Sequence, residues 1–446
     1  MTRSTSKTVR RALPVALVCA ALALAGCSSS SDESASSDAP ASEASSPQAA
    51  ASAEPSAAPV TGNVSFMVAE YSPKTAPFWE KTIEACEAEN PGVTIDLEVV
   101  GWQQMYDTTA QRIAADALPD LVNTATIWLP EWVEAGALQP VSDQLLSPEL
   151  KADFIPALLE KGGEYNGESW GLPIAAAARG LFYNKDLLAE AGLDAPPATW
   201  DELQQYVTSI KDSTGEFGYA FDAKGVQAFR YFGFFLWNNG GDFFDADGKA
   251  AFNSPEGVEA LQFLADLASS GAIPDPTGTA LEDFQPLFQT GRLGMMIDGN
   301  FFDAAMADKA PDVNYGVAAV PVSGSDVQPV TWGVTDTLVI NKNTDPALAS
   351  VVLSCLYKPE VRTEFDTNEG LLPVLKSQAS DPAFADERSQ AWLSLLESAR
   401  FDPLNPNYAQ MQELVKTAMQ EALKGTKSAQ QALDDAAAKF NELAGS

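Results

Sequence analysis

Between Val64 and Ala125 the apolar residues change period four times, and no other feature constrains the fold of this chain as tightly. Val64 to Val68 is a short apolar run of strand character. It is followed by a stretch that places Phe78, Trp79, Ile83 and Cys86 on one side of a helix, closed by Pro91-Gly92. Val93 to Val100 alternates like a second strand, Trp102 to Ala117 has helical spacing, and Pro119-Asp120 leads into a third strand, Leu121 to Ala125. Strands alternating with helices in this order build a mostly parallel, doubly wound α/β layer. The part from Gly62 onward, about 385 residues, exceeds what one core usually serves, so two such lobes are expected.

Farther along, Thr199-Trp200-Asp201-Glu202 predicts a capping box, in which the threonine hydroxyl and the glutamate each satisfy a free N–H at a helix start. Ser254-Pro255 and Asp345-Pro346 pair an N-cap with proline at the first helical position. Asp242, Asp245 and Asp247 with Gly248 lack the alternating oxygens and distal glutamate of a calcium loop, so a hairpin turn at Asp247-Gly248 is expected and no metal.

Chemistry is bounded by what the composition withholds. The chain has no histidine, which removes Ser-His-Asp and Cys-His mechanisms and the commonest zinc ligand. No phosphate-binding glycine loop or C-x-x-C pair is present, and no cofactor is expected. The formal charge of −34 repels phosphate backbones and argues against nucleic acid.

Arg3, Lys7, Arg10 and Arg11 precede an apolar run from Ala12 to Ala25, an export signal too short to span a bilayer. The run ends in Leu24-Ala25-Gly26-Cys27, which resembles the bacterial lipobox, so residues 1–26 are expected to be removed and Cys27 to carry a lipid. Ser28 to Thr61 is nearly all Ser, Ala, Asp, Glu, Pro and Gln without an aromatic residue, and reads as a disordered tether with a root-mean-square reach of roughly 30 Å. With Cys19 in the leader, only Cys86 and Cys355 remain, each on the apolar face of a helix. Two buried thiols and a disulfide both fit an exported chain.

Several segments in order resemble the extracellular solute-binding proteins of carbohydrate ABC importers, the family that includes maltose-binding protein. They are Ala117-Leu118-Pro119-Asp120-Leu121-Val122; Glu131-Trp132-Val133-Glu134-Ala135-Gly136-Ala137-Leu138; Gly171-Leu172-Pro173; Gly180 to Leu188; Pro196 to Leu203; Phe252 to Val258; Gly291 to Asn300; and Gly370-Leu371-Leu372-Pro373-Val374. The resemblance implies two α/β lobes with a ligand cleft between them, lobe one holding 62–174 and 326–368 and lobe two 177–322 and 371–446. The chain would cross between them near Pro173 to Ala177, near Ala319 to Ser323 and near Gly370. It also implies capture of a small solute, a sugar in preference to a polyamine, peptide or osmolyte, and delivery to ABC permease subunits. The protein would stand as a monomer outside the cytoplasmic membrane, held there through Cys27, and would catalyse nothing. A surface glycosidase is the rival from another class, but among 61 acidic residues some carboxylate pair always suits it.

A sugar offers apolar C–H faces and a rim of hydroxyls, so its site needs flat aromatic platforms and hydrogen-bonding side chains at strand ends or at the hinge. That criterion selects Glu70 and Tyr71, then Thr124, Thr126 and Trp128, then Arg179 as the charged contact. From lobe two it selects Trp237, Asn238, Asp298, Asn300, Phe301 and Trp332. Trp332 and Trp237 are the expected platforms; Tyr71 and Phe301 divide evenly between contact and core; Trp79, Trp102 and Trp392 are expected in the core. Where the family often carries Gly-Pro-Trp, this chain has Gly299-Asn300-Phe301.

Overall fold

The structure, a computed structural model, describes residues 60–225, 227–405 and 407–444. The expected leader, Cys27 and nearly all of the tether lie outside them. Among the described residues eleven strands are formed: β1 (Gly62–Glu70), β2 (Val93–Gly101), β3 (Leu121–Ala125), β4 (Glu164–Tyr165), β5 (Glu168–Ser169), β6 (Gly171–Asn184), β7 (Phe217–Ala220), β8 (Leu293–Gly299), β9 (Tyr315–Ala318), β10 (Thr331–Ile340) and β11 (Ala399–Arg400). β4 and β5 make a separate ribbon, and the others form one sheet in the order β2-β1-β3-β10-β6-β8-β7, with β9 beside β6 and β11 beside β10.

The first β-α-β-α-β unit follows the periodicity of the sequence. Its helices span Thr75–Glu89 and Trp102–Ala114, and β1 pairs in parallel with β2 and β3. Phe78, Trp79, Ile83 and Cys86 are buried on the first helix, where the Trp79 ring meets Phe66 of β1 edge-on at 5.4 Å. Three caps form where the sequence calls for them: Thr199 and Glu202 close a capping box, and Ser254 and Asp345 each accept an N–H before a proline-led helix. Phe244 bridges to Ala250 across a turn in which Gly248 has φ 75°, while the Asp245 carboxylate accepts N–H bonds from Asp247 and Lys249.

Two antiparallel strands carry the sheet from one lobe to the other. β6 is a 14-residue strand whose residues 171–178 pair with β10 and whose residues 179–184 pair with β8 and β9. Four successive alanines, Ala175 to Ala178, occupy the crossing, buried on both faces where larger side chains would force the layers apart. β10 begins beside β11 at Thr331 and Trp332 and ends beside β3 at Asp336 to Ile340. The residues before it stay on lobe two: Val322 exchanges backbone bonds with Ala198 and Trp200, and Ser323 and Val330 bond to Asn238. The second passage therefore runs within β10, downstream of Ala319 to Ser323. Past Gly370, Leu372 donates its N–H to Ala176 of the first passage, but the chain then stays on lobe one, with Val374 accepting from Ile155 N, Ser377 donating to Asp153 and Gln378 to Asp366. The third passage therefore follows Gln378 and lies downstream of the expected Gly370.

The helices Pro346–Leu356 and Pro359–Glu369 return to lobe one and pack on Thr75–Glu89, with Phe365 at 4.9 Å from Trp79. A disulfide joins Cys86 to Cys355 here, deciding between the two states open to these cysteines; the Cα atoms are 5.7 Å apart and 269 positions separate the residues. It ties the late insertion to the early helix, and such a link removes freedom chiefly from the unfolded chain. Replacing both cysteines by alanine should lower the unfolding free energy by about 2–4 kcal/mol in urea titrations. The denatured, unreduced wild type should show no free thiol from either position; titration of two would remove the bond.

Candidate functional site

The C-terminal end of β1 and the two crossing strands converge on one polar floor. Tyr71 follows β1, and its hydroxyl donates to Asp336 Oδ2 at 2.8 Å with Asn123 Oδ1 at 3.2 Å. Burial pushes the Asp336 carboxyl up to about 7, against the opposing effects of the Tyr71 hydrogen bond and of Arg179. Burial likewise carries the Tyr71 phenol well above its ordinary value, with the Asp336 charge adding to it. Arg179, the first residue of β6 beyond the crossing, stacks its guanidinium 4.9 Å from the centre of the half-exposed Phe301 ring. Gly299 makes room for both, since a Cβ there would lie 2.3 Å from the Phe301 ring and 2.7 Å from Arg179 Nη1. That Nη1 is buried and has no hydrogen-bond partner among the described residues. Burial and the neighbouring Arg230 charge lower the Arg179 guanidinium to about 10, which leaves it cationic at neutral pH.

Above the floor stand two unlike walls. On lobe one, four aromatic rings run in series: Tyr71 to Trp102 at 5.5 Å, Trp102 to Trp128 at 6.1 Å, and Trp128 to Tyr106 at 5.3 Å. All four keep some surface in solvent. The facing wall comes from lobe two, where Arg230 pairs with Asp402 at 3.2 Å, Tyr408 donates its hydroxyl to the same carboxylate, and Gln410 and Gln412 follow. A cleft of about 640 Å³ lies between Tyr106, Trp128 and Glu131 on one side and Asn405, Tyr408 and Gln412 on the other. An inner cavity of about 90 Å³ between Thr126, Asp336, Arg230 and Phe401 shares Ile127 with it. A depression of about 600 Å³ near Ser147 and Lys358 lies away from the floor, lined by residues 147–153 and 354–359 with Ser377.

Of the residues selected from sequence, Trp128 lines the outer cleft and Thr126 the inner cavity; Tyr71 reaches Asp336 in the lining of that cavity through its hydroxyl, while Phe301 lies against Arg179 and Asp298 beside Arg179. Asp298 is 1 % exposed and accepts from Gln285 Nε2 and Gly299 N, and burial raises it to about 6. Glu70 is exposed at the end of β1. Thr124 is buried, and Thr126 spends its hydroxyl on the Thr335 carbonyl. Asn238 holds Val330 and Phe234, and Asn300 holds Ala178 and Gly370.

The two tryptophans expected as platforms turn inward. Trp237 and Trp332 lie 4.1 Å apart, 3 % and 0 % exposed, with Trp332 packed edge-on against Phe229 and Phe234 and both rings against Phe243. Gly233 lets the helix Ala228–Trp237 approach, as a Cβ there would stand 2.4 Å from the Trp332 ring. Neither indole offers a face to the cleft. Trp102, expected in the core, is partly buried against the core of lobe one and meets Tyr71 and Trp128 at its edge. Asp336, Arg230 and Asp402 also escape sequence reasoning, because their position depends on pairings between segments up to 265 residues apart.

The sequence profile of bacterial extracellular solute-binding proteins matches residues 69–362. A Brucella abortus protein named as a binding protein is 36% identical over 386 residues, 86% of this chain and 93% of its own. The sn-glycerol-3-phosphate-binding periplasmic protein of Shigella dysenteriae is 26% identical over 412 residues, 83% of this chain and 92% of its own. The crystal structure of the cyclic α-maltosyl-1,6-maltose binding protein from Arthrobacter globiformis matches with a TM-score of 0.76 at 28% identity, covering 86% of this chain and 99% of that one.

The raised Asp336 carboxyl gives stability a definite pH dependence. Between about pH 4 and the value of about 7 in the folded state, the folded protein holds a proton that the unfolded chain has released, so stability falls as pH rises through that window. Asp336→Asn should remove this contribution. The difference in unfolding free energy should swing toward the variant by up to about 1.4 kcal/mol per pH unit across the window, and parallel pH curves for the two proteins would refute it.

Proposed function

The chain belongs to the bacterial extracellular solute-binding proteins, and within that family we propose that it captures a sugar or short oligosaccharide and delivers it to an ABC importer. The observation that carries the reading is the aromatic series Tyr71, Trp102, Trp128 and Tyr106, of which Trp128 and Tyr106 face Asn405, Gln410 and Gln412 across the cleft, with the paired Arg230 in the cavity behind. Flat rings take the C–H faces of a pyranose, while Gln410, Gln412, Glu131 and the unpartnered N–H of Arg179 suit its hydroxyls. The cleft volume falls within the range of small-molecule sites, roughly 300–1,000 Å³.

The relatives bracket the ligand chemistry: one is named for a cyclic maltosyl-maltose and one for sn-glycerol 3-phosphate. The floor favours the neutral end of that range. Arg179 and Arg230 are matched there by Asp298 and Asp402, with Asp336 ionised only in part, so a phosphate would enter a site without net positive charge. A solute touching both walls binds the closed arrangement better and shifts the population toward it. Binding of this kind needs no covalent step, and we expect no turnover. Among the described residues no helix is long and apolar enough to cross a membrane; the lipobox-like run at Leu24 to Cys27 supports anchoring of a monomer through Cys27, on the outer face of the cytoplasmic membrane.

Thermal shift against a panel of mono- and oligosaccharides, with glycerol 3-phosphate as the anionic comparison, tests the reading. A ligand at 100 times its dissociation constant should add about 2.7 kcal/mol, and its mass should be unchanged after incubation. For the sugar so found, Trp128→Ala and Arg179→Ala should each weaken affinity about tenfold or more, about 1.4 kcal/mol. Trp332→Ala should act on stability instead, by about 3–5 kcal/mol. Hydrolysis of a panel sugar, or stabilisation by glycerol 3-phosphate alone, would overthrow the assignment.

A further inference from the structure

Both ends of the Asn300 side chain are used inside the protein, one on the first passage between the lobes and the other on lobe one. Its Oδ1 accepts from Ala178 N at 3.0 Å, and its own N–H returns a bond to the Ala178 carbonyl at 3.1 Å. Ala178 is the last residue of β6 to pair with β10 before the strand passes to β8. The Nδ2 of Asn300 donates to the Gly370 carbonyl at 2.7 Å. Gly370 ends the helix Pro359–Glu369 of lobe one in a left-handed turn, φ 67°. One carboxamide, 5 % exposed, thus joins the end of β8 in lobe two both to the first crossing and to lobe one.

The next residue is Phe301, on which Arg179 stacks, and Arg179 directly follows Ala178. Cleft contacts and hinge bonds are therefore adjacent in sequence on both strands. When lobes rotate about their crossings, the change is absorbed by backbone dihedrals of a few residues at those crossings. A rotation that alters the separation or tilt of Ala178 and Gly370 must stretch one of the two amide bonds, because the group that joins them has a fixed span and one donor end and one acceptor end.

We propose that Asn300 is a positioning residue for solute capture: its amide couples the first crossing to the end of the lobe-one helix Pro359–Glu369 and so sets the angle between the lobes at which Phe301 and Arg179 meet a solute. The inference rests on the reading of the chain as a two-lobed capture protein, but its test requires no bound sugar. Two isosteric outcomes separate it from plain structural support. Asn300→Asp keeps the acceptor for Ala178 N–H and replaces the donor toward Gly370 with an oxygen, whereas Asn300→Ala removes both bonds without stranding a charge.

The measurement is a pulsed electron-spin distance across the cleft mouth in the full chain, with labels on encoded ketone side chains in place of the exposed Asp107 and Glu413. It is made without solute, alongside the thermal unfolding midpoint. The wild type should give one narrow distance, and both Asn300 variants a distribution roughly twice as wide or displaced toward a second distance, with unfolding still cooperative. Phe301→Ala, which leaves the amide bonds in place, should keep the wild-type width. Should the aspartate variant not fold, the alanine variant gives the same reading. Wild-type widths in a folded Asn300→Ala, whatever its melting point, would overturn the proposal. Failure of every panel sugar to bind would bear on the functional reading and leave this one standing.

Discussion

The hydrogen-bond ladder of β6 is the constraint on which the rest depends. One strand pairs with β10 as far as Ala178 and with β8 from Arg179, so the same backbone belongs to both lobes. Pairing on either side fixes the register of the strand, and a slip of one residue would turn every inward side chain outward. It follows that the change of partner can occur only at the Ala178–Arg179 junction, and that Arg179 is the first side chain delivered to the cleft floor. The alanine run before it is short in side chain for the same reason. Two antiparallel crossings and the return past Gly370 must converge within a few ångströms there, and bulk would separate them.

Convergence has an electrostatic cost that the floor does not fully relieve. Three strand ends bring Arg179, Asp298 and Asp336 into a region poor in water, where each charge loses hydration. Asp298 recovers part of it from Gln285 and Gly299, and Asp336 from Tyr71. Arg179 recovers least, keeping one buried N–H without a partner. Such an arrangement is less stable than an apolar floor would be, and groups left short of partners are what an arriving hydroxyl can satisfy. Stability and binding are thus in opposition at the same residues.

How much of this was legible in the sequence follows from the range of the interactions. The first three strands, two helices and three caps are local, set by period and by residues at most four positions apart, and they stand where the sequence places them. The floor is not local: Asp336 meets Tyr71 across 265 positions, and nothing around Thr335-Asp336-Thr337 distinguishes it from a polar residue on a strand. Trp237 and Trp332 mislead for a different reason. The helix Ala228–Trp237 is apolar on nearly every side, so its hydrophobic pattern cannot say which face is core. Only the approach permitted by Gly233 shows that the two indoles fill the core of lobe two.

The position of the Cys86–Cys355 disulfide completes the mechanical picture. Cys86 and Cys355 both belong to lobe one, whose late helices arrive only after the chain has built most of lobe two. A covalent link across the cleft would have fixed the angle between the lobes and defeated closure. A link within the lobe holds its two distant pieces together and leaves the crossings as the only connections that rotation must deform. Rigidity is concentrated in the lobes by covalent and apolar contacts, while the hinge is held by a handful of hydrogen bonds, each worth about 0.5–1.5 kcal/mol net. Interactions of that size are comparable with the free energy a small solute can supply, which is the condition for binding to move the lobes.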